Sequence, residues 1–308
     1  MSATAPRRKK SSSWSEPIVW ELESSGVSVS PALFEQFQQL IHEETGIWLG
    51  ETKMALLCGR LSRRLRALGI SDLDCYYELV MRPDQSEERV QMIDAITTNE
   101  TRFFREPRHF EFLERKAIPR WQADAQKGLR SRSVRCWSAG CSSGEEPYSL
   151  AMLLATNLRP DQGWDASILA TDISTRVIAQ ARLGIYGMAK STDIPDSFLK
   201  GYMLKGSAEQ EGHMKVMPDI QAMVEFQRLN LTRDPYPPAG RFDVIFCRNV
   251  LIYFNFQSRH RVIEQLTRCL SPAGLLFVGH AESLSGINSP LRSLAPAIYA
   301  RAGESNGY

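Results

Sequence analysis

The chain has 308 residues, enough for one large domain or two modest ones. Its hydrophobic fraction of 43% suits a packed soluble protein, and a formal charge of +2 supplies no electrostatic case for nucleic acid. No apolar run nears the ~20 residues of a membrane span, and the six cysteines form no C-x-x-C pair, so neither zinc nor a disulfide framework is indicated. A reducing, cytoplasmic setting and no metal are expected.

Residues 1–28 are basic and Ser-rich without an apolar segment, which predicts a mobile tail rather than a secretory signal. From Pro31 the pattern turns helical: Leu33, Phe34, Phe37, Leu40 and Ile41 share a face until Gly46. A second helix, about 51–68, carries an apolar stripe from Met54 to Leu68 and crowds Arg60, Arg63, Arg64 and Arg66 into its second half. Helical patterns at 73–81 and 87–96 complete a small all-helical domain. The loop TTNETRFFRE, 97–106, leads to a helix from 107 to about 121 and then to a polar connection. Thereafter strands and helices alternate. Strands are predicted at 134–137, 167–171, 242–247, 275–279 and 297–301, with helices after Pro147, at 174–183 and at 257–270. Such alternation means a mostly parallel sheet with helices on both faces. Residues 187 to about 222 break the rhythm and read as a small inserted subdomain.

The chemistry centres on WSAGCSSGEEPYS, residues 137–149, a strand, a small-residue turn and a helix. Doubly wound folds cradle nucleotides in this way. A phosphate here would face Glu145 and Glu146, and no Walker or G-x-G-x-x-G spacing is present. Carboxylates in a first helical turn gain about 0.3–1 kcal/mol from the dipole, which by itself accounts for Glu146 and leaves Glu145 open. Gly140-Cys-Ser142-Ser-Gly144 also matches the G-x-S-x-G nucleophile elbow, with His280 as a base. That reading lacks an acid: Asp243 begins its strand, at the wrong edge of the sheet. Asp172 ends the second strand, where doubly wound folds set a carboxylate against ribose hydroxyls. Taken alone it reads equally well as a cap on the following helix. Together with the loop it favours a nucleoside that carries positive charge in place of phosphates. S-adenosylmethionine has a ribose, an ammonium and a sulfonium.

TTNETRFFRE, SAGCSSGEEPYSLAM, ATDIS, IFCRNVLIYF and GLLFVGHAES, in this order over residues 31–302, resemble the chemotaxis receptor methyltransferases of the CheR family. The resemblance implies an α/β fold: an N-terminal helical domain, 29–104, then a linker helix and connection, 105–130. A Rossmann-like S-adenosylmethionine-dependent methyltransferase domain follows, 131–303, with a β-subdomain inserted at about 187–222 and a tail at 304–308. It implies that Asn99, Thr101 and Arg105 close over the cofactor and that Glu145 and Asp172 hold its amino-acid and ribose parts. Asn230 and Leu231 would lie by the adenine, Arg248 and Asn249 would follow the fourth strand, and Tyr253 would stand near the transferring methyl. The expected partners are chemoreceptor cytoplasmic helices, docked on Arg60, Arg63 and Arg64, with the enzyme a monomer inserted in no membrane and bound to no nucleic acid. In some members the β-subdomain captures a receptor's C-terminal peptide through a glycine-rich turn. Here Ala208 stands where a further glycine belongs, which weakens that expectation.

The reaction implied is methyl transfer to glutamate carboxylates, giving methyl esters and S-adenosylhomocysteine. A glutamate with a pKa of ~4.3 is ionised at neutral pH, so no general base is needed and alignment is the main catalytic requirement. Arg105 is assigned to the carboxylate and Tyr253 to positioning. Three rivals remain: a DNA methyltransferase, disfavoured because Arg248-Asn-Val-Leu replaces the [DNS]-P-P-[YF] segment; a non-catalytic S-adenosylmethionine sensor; and the serine hydrolase.

Overall fold

The computed structural model describes residues 29–238, 241–287 and 289–301. The tails expected at 1–28 and 304–308 lie outside these residues. The chain begins with four helices: α1 (Pro31–Thr45), α2 (Met54–Leu68), α3 (Leu73–Met81) and α4 (Ser86–Ile96). Their ends follow local chemistry. The Ser30 hydroxyl accepts the Leu33 N–H at 3.2 Å, with Pro31 in the first turn, and Gly46 stops α1 at φ +73°. Asp72 caps α3 by accepting the Cys75 N–H at 2.8 Å. Leu33, Phe37 and Ile41 of α1 meet Leu57, Leu61 and Leu65 of α2 and Tyr76 of α3 in one buried cluster. The predicted stripes are therefore the packed faces, except that Leu68 at the end of α2 is exposed.

A long helical stretch follows, α5 (Pro107–Phe112) and α6 (Ile118–Gln126), joined by a π-helical turn at Leu113–Ala117. It runs past the expected end at 121. The remaining elements are β1 (Ser133–Ala139), α7 (Glu145–Asn157), β2 (Asp165–Asp172), α8 (Thr175–Leu183), β3 (Ile185–Gly187), α9 (Asp196–Tyr202), β4 (Met203–Lys205), β5 (His213–Val216), α10 (Pro218–Ala222), β6 (Val224–Arg228), β7 (Phe242–Cys247), α11 (Phe256–Cys269), β8 (Leu270–Val278), β9 (Leu291–Ala295) and β10 (Ile298–Arg301). The main sheet has the order β6-β2-β1-β7-β8-β10-β9. Its first five strands are parallel, and β10 runs antiparallel to both neighbours. β6 and β9 carry no strong sequence signal and are not predicted by their residues; both lie at the edges of the sheet, where a strand needs less apolar character.

Side chains alternate across the sheet with the period of two that a strand imposes. Val134, Cys136, Val244, Phe246, Leu275 and Phe277 face a core shared with α5, α6 and α7. Trp137, Ala139, Ile245, Cys247, Leu276 and Val278 face the other, closed by Val262, Ile263 and Leu266 of α11. Burial on both faces explains why FDVIFC reads as a continuous apolar run. The inserted subdomain is an antiparallel sheet in the order β3-β5-β4. It packs on the first core through Met203, Met214 and Val216.

The order of the strands locates the crevice. From β1 the chain moves outward to β2 and β6, then returns to β7 on the other side of β1. Ligands in open α/β sheets bind outside the carboxyl ends of the strands at such a switch point. The helical domain is fastened over this edge. Asn230 donates to the Glu44 carbonyl at 2.7 Å, Trp48 N–H donates to the Tyr253 carbonyl at 2.8 Å, and Asp94 accepts from the Thr175 hydroxyl at 2.6 Å.

Candidate active site

The loop after β1 is built for a close backbone turn. Gly140 has φ +93° and Gly144 φ +98°. A Cβ on Gly140 would stand 2.3 Å from Val250 Cγ2, and one on Gly144 2.8 Å from the Tyr186 hydroxyl. Two N–H groups of the loop, from Gly140 and Cys141, donate to the Thr171 carbonyl at 2.8 and 2.9 Å. Asp172, at the end of β2, holds the loop from below. Its Oδ2 accepts the Ser142 N–H and its Oδ1 the Ser174 N–H, both at 2.9 Å. Ser174 itself, not Asp172, is the side-chain cap of α8, accepting from Val177. Burial raises the pKa of Asp172 in spite of these N–H donors. Each carboxylate oxygen keeps a lone pair for a ligand hydroxyl.

Ser142 sits at φ +50° with its hydroxyl donated to the Asn99 carbonyl at 2.8 Å. Among the described residues no histidine bonds to it. His280 instead stacks edge-on to His109 at 4.9 Å, and Asp243 accepts the Arg135 N–H at the opposite edge of the sheet. The nucleophile-elbow reading therefore has neither base nor acid in place.

Several residues expected at the cofactor are engaged within the protein. Glu145 is fully buried. One oxygen accepts from the Ser143 hydroxyl at 2.7 Å and the other is paired with Lys190, which belongs to the insert. An ammonium from a ligand meets Glu145 only by taking the place of Lys190. Arg248 has a side chain only 1% exposed. Its Nε and Nη2 lie 3.3 and 3.2 Å from Glu106 Oε2, Nη2 also donates to the Arg105 carbonyl, and Nη1 lies 3.3 Å from Glu146 Oε2. The guanidinium thus bolts the 105–106 loop to α7 instead of lining the crevice. Asn230 uses its amide for Glu44 and its Oδ1 for Thr232, and the Leu231 carbonyl accepts from the Tyr236 hydroxyl at 2.7 Å. The Asn230 N–H donates to Asp234 at 2.6 Å and the Asn230 carbonyl accepts from the Arg233 and Asp234 N–H groups, so only the Leu231 N–H and the edge of its buried side chain remain for a base.

The loop 97–106 and the segment 248–255 frame the open side. Asn99 is half-buried and donates to Thr97 at 3.2 Å, and Thr101 is half-buried beside it. Arg105 is half-buried and donates to the Glu100 carbonyl at 3.0 Å, with no ion-pair partner among the described residues. Asn249 adopts φ +59°. Tyr253 is half-buried at the rim. Of the docking arginines, Arg64 is spent elsewhere: it forks onto Glu88, which also accepts from Tyr76 at 2.8 Å. Arg60 donates to the Ile96 carbonyl and, at 2.9 Å, to Thr98. Arg63 is exposed.

Three carboxylates around the crevice, Glu282, Glu106 and Asp94, carry no site reading in the sequence, and a fourth, Glu146, reads there only as a helix-dipole partner. Glu282 is buried and gathers three backbone donors: Gly279 N–H at 2.5 Å, Asn249 N–H at 2.8 Å and Ile252 N–H at 3.3 Å. It ties the loop after β8 to the loop that carries Asn249 and Tyr253. Burial raises its pKa against these donors. Glu106 binds Arg248 and the His280 N–H; burial pushes its pKa up, but the Arg248 charge and the N–H outweigh this and hold it low. Glu146 accepts from Ser138 at 2.7 Å, and burial raises its pKa. Asp94 keeps Oδ1 buried with no partner among the described residues, close enough to Asp172 to raise its pKa. The E-x-x-H spacing of Glu106 and His109 was the one available signal. With His280 these residues place ligating atoms within 4.8 Å of one another. Glu106 already neutralises Arg248, and burial keeps His109 uncharged at neutral pH, so the carboxylate is spent on the guanidinium.

The donor set suits a cationic nucleoside. Carboxylates crowd the loop, Asp94 keeps a buried oxygen without a partner among the described residues, and the positive-φ glycines turn the backbone tightly with Val250 and Tyr186 packed against it. This fold and crevice define an S-adenosylmethionine-dependent methyltransferase of the Rossmann-like type. Comparison with known families gives the particular kind. The model of the CheR methyltransferase S-adenosylmethionine-binding domain matches residues 99–299, and that of the CheR methyltransferase all-alpha domain matches residues 32–97. The chain belongs to the CheR family, whose members methylate in chemotaxis. It is 38% identical to the chemotaxis protein methyltransferase of Escherichia coli (strain K12) over 275 residues, covering 89% of this chain and 92% of the relative. It is 36% identical to chemotaxis protein methyltransferase 2 of Pseudomonas aeruginosa over 269 residues, covering 87% and 92%.

Proposed function

We propose that the enzyme transfers the methyl group of S-adenosylmethionine to glutamate carboxylates on chemoreceptor cytoplasmic helices. The products are glutamyl methyl esters and S-adenosylhomocysteine. The observation that carries this reading is Arg105, a half-buried cation in the loop beside the crevice that forms no ion pair among the described residues and feels Glu146 only at longer range. A glutamate arriving from outside supplies the missing partner. The bound cofactor contributes an electrophilic methyl on a positively charged sulfur. Asp172 holds its ribose, Glu145 its ammonium after exchange with Lys190, and Leu231, on the turn that Asn230 braces, its adenine. Asn99, Thr101 and Asn249 close around it.

The chain's own part in the reaction is alignment. Arg105 binds one oxygen of the acceptor carboxylate and leaves the other free. The Tyr253 hydroxyl fixes its direction. Near-attack geometry of this kind is worth up to about 7–11 kcal/mol. Neither group takes a proton, in keeping with a nucleophile that is ionised at neutral pH. The molecule acts as a monomer in the cytoplasm without a metal, and among the described residues no helix is long and apolar enough to cross a membrane. A receptor's C-terminal peptide is a weaker second ligand. The insert has β4 at an open edge able to accept a strand. Ala208, where a glycine is the ordinary choice, is held at φ +52°.

Incubation with methyl-labelled S-adenosylmethionine and a receptor cytoplasmic fragment tests the reading. Mild alkali should release the label as methanol. Label that survives alkali means methylated nitrogen and removes the carboxylate mechanism.

A further inference from the structure

A methyl acceptor on a helix needs a seat beside the crevice, a need that rests on the proposed function. Trp48 is 50% exposed, Ile252 49% and Phe256 61%. These large apolar side chains belong to one place. Ile47 forms an antiparallel bridge with Phe254, and the Trp48 N–H donates to the Tyr253 carbonyl at 2.8 Å. The strap 47–48 of the helical domain therefore lies along the segment 252–256, with Tyr253 in the middle. Trp48 is not loose. Its ring meets the His42 ring edge-on at 5.5 Å, and His42 Nε2 lies 2.9 Å from Asn255 Nδ2. Packing holds a tryptophan half in water.

The neighbouring surface is basic. Arg60 lies near enough to Tyr253 to feel its hydroxyl electrostatically. Leu56 and Arg63 lie one turn before and one turn after Arg60 on the same face of α2. Both are exposed, and Arg63 has no ion-pair partner among the described residues. An apolar ridge beside the tyrosine thus adjoins a basic strip.

We propose that Trp48, Ile252 and Phe256 seat the acceptor helix, with the Leu56–Arg60–Arg63 face of α2 running alongside. A helix is about 10–12 Å across with its side chains. It cannot lower one glutamate to Tyr253 without resting the residues three and four positions away on the rim. The rim offers apolar area at the centre and cations at the side. It fits an amphipathic, acidic helix whose apolar positions flank the glutamate and whose other carboxylates face Arg63. Docking by α2 alone would leave the ridge uncovered, so the seat spans both domains.

The test is steady-state methylation of a receptor cytoplasmic fragment by the full chain, with Trp48→Ala, Ile252→Ser and Phe256→Ser made singly. Each should raise KM for the fragment about ten-fold, as expected for loss of an apolar anchor at the centre of an interface. S-adenosylmethionine affinity and kcat at saturating fragment should stay at the wild-type values. Leu129→Ser, 73% exposed in the connection before β1, is the control and should leave KM unchanged. Wild-type KM in all three variants overturns the seat while the proposed function stands. Wild-type enzyme that labels no glutamate of the fragment brings down both. Sedimentation showing that the variants dissolve a dimer, with KM unmoved, makes the ridge a contact between copies of this chain and also overturns the seat.

Discussion

Arg248→Met separates two roles for the same arginine. If Arg248 grips the cofactor, the variant should bind S-adenosylmethionine poorly and unfold at the wild-type temperature. The geometry says otherwise. The guanidinium lies 3.2–3.3 Å from carboxylate oxygens of Glu106 and Glu146, has a side-chain exposure of 1%, and shares its Nη2 with the Arg105 carbonyl. Methionine keeps the volume of the side chain but loses the cation–π contacts with Phe110 and Phe246 and leaves two largely buried carboxylates without their cation. Breaking a buried pair from one side costs about 3–5 kcal/mol. At roughly 2–4 °C per kcal/mol for a chain of this size class, the melting midpoint should fall by about 6–20 °C. Adding Glu106→Gln removes one of the stranded charges and should restore part of the loss, a coupling that a double-mutant cycle reads directly. The loop carrying Arg105 loses its bolt, so kcat should fall further than cofactor affinity. Scanning calorimetry and titration calorimetry on the two variants decide the matter. A single variant with wild-type melting behaviour and weakened cofactor binding refutes the reasoning.

Three further outcomes are expected. Burial, with the Arg248 charge beside it, lowers the pKa of His109 to about 3. Between pH 6.5 and that value the unfolded imidazole takes up a proton that the native one refuses, so this group's stabilisation is present above pH 6.5 and is lost as pH falls. Urea titrations should show wild type losing about 2 kcal/mol relative to His109→Phe between pH 6.5 and 4.5, because one proton bound only by the unfolded chain is worth up to about 1.36 kcal/mol for each pH step of one; parallel pH profiles would contradict it. Glu282→Ala strips the acceptor from the N–H groups of Gly279, Asn249 and Ile252, each costing about 1–3 kcal/mol when left unpaired. Turnover should collapse along with denaturant resistance, and wild-type kcat in this variant would show that the loop holds Tyr253 without the clamp. Gly144→Ala forces a side chain onto φ +98° against the Tyr186 hydroxyl and Ala181. It should cost about 1–3 kcal/mol and weaken S-adenosylmethionine binding in a titration, and an unchanged Kd would deny the loop its role as a cradle.

The amino-acid sequence by itself determined the class of this molecule. Apolar stripes from Leu33 to Leu65 have the period of helices, and FDVIFC has the unbroken apolar run of a strand covered on both sides, so helical domain and α/β sheet are both legible before any contact is known. Glycines at 140 and 144 and the acid at 172 are legible for the same reason: each answers a demand made within a few residues, a backbone turn or a strand end. What only the tertiary structure decided is which charged groups are free. Glu145 meets Lys190 from the insert, Arg248 meets Glu106 from the linker, and Asn230 meets the end of α1. Glu282 finds its donors on a loop after another strand. A carboxylate or a guanidinium looks the same in the sequence whether it awaits a ligand or is already satisfied. The difference lies in a partner brought within about 3 Å by the path of the chain, and residues 45 or 142 positions apart carry no local sign of that meeting.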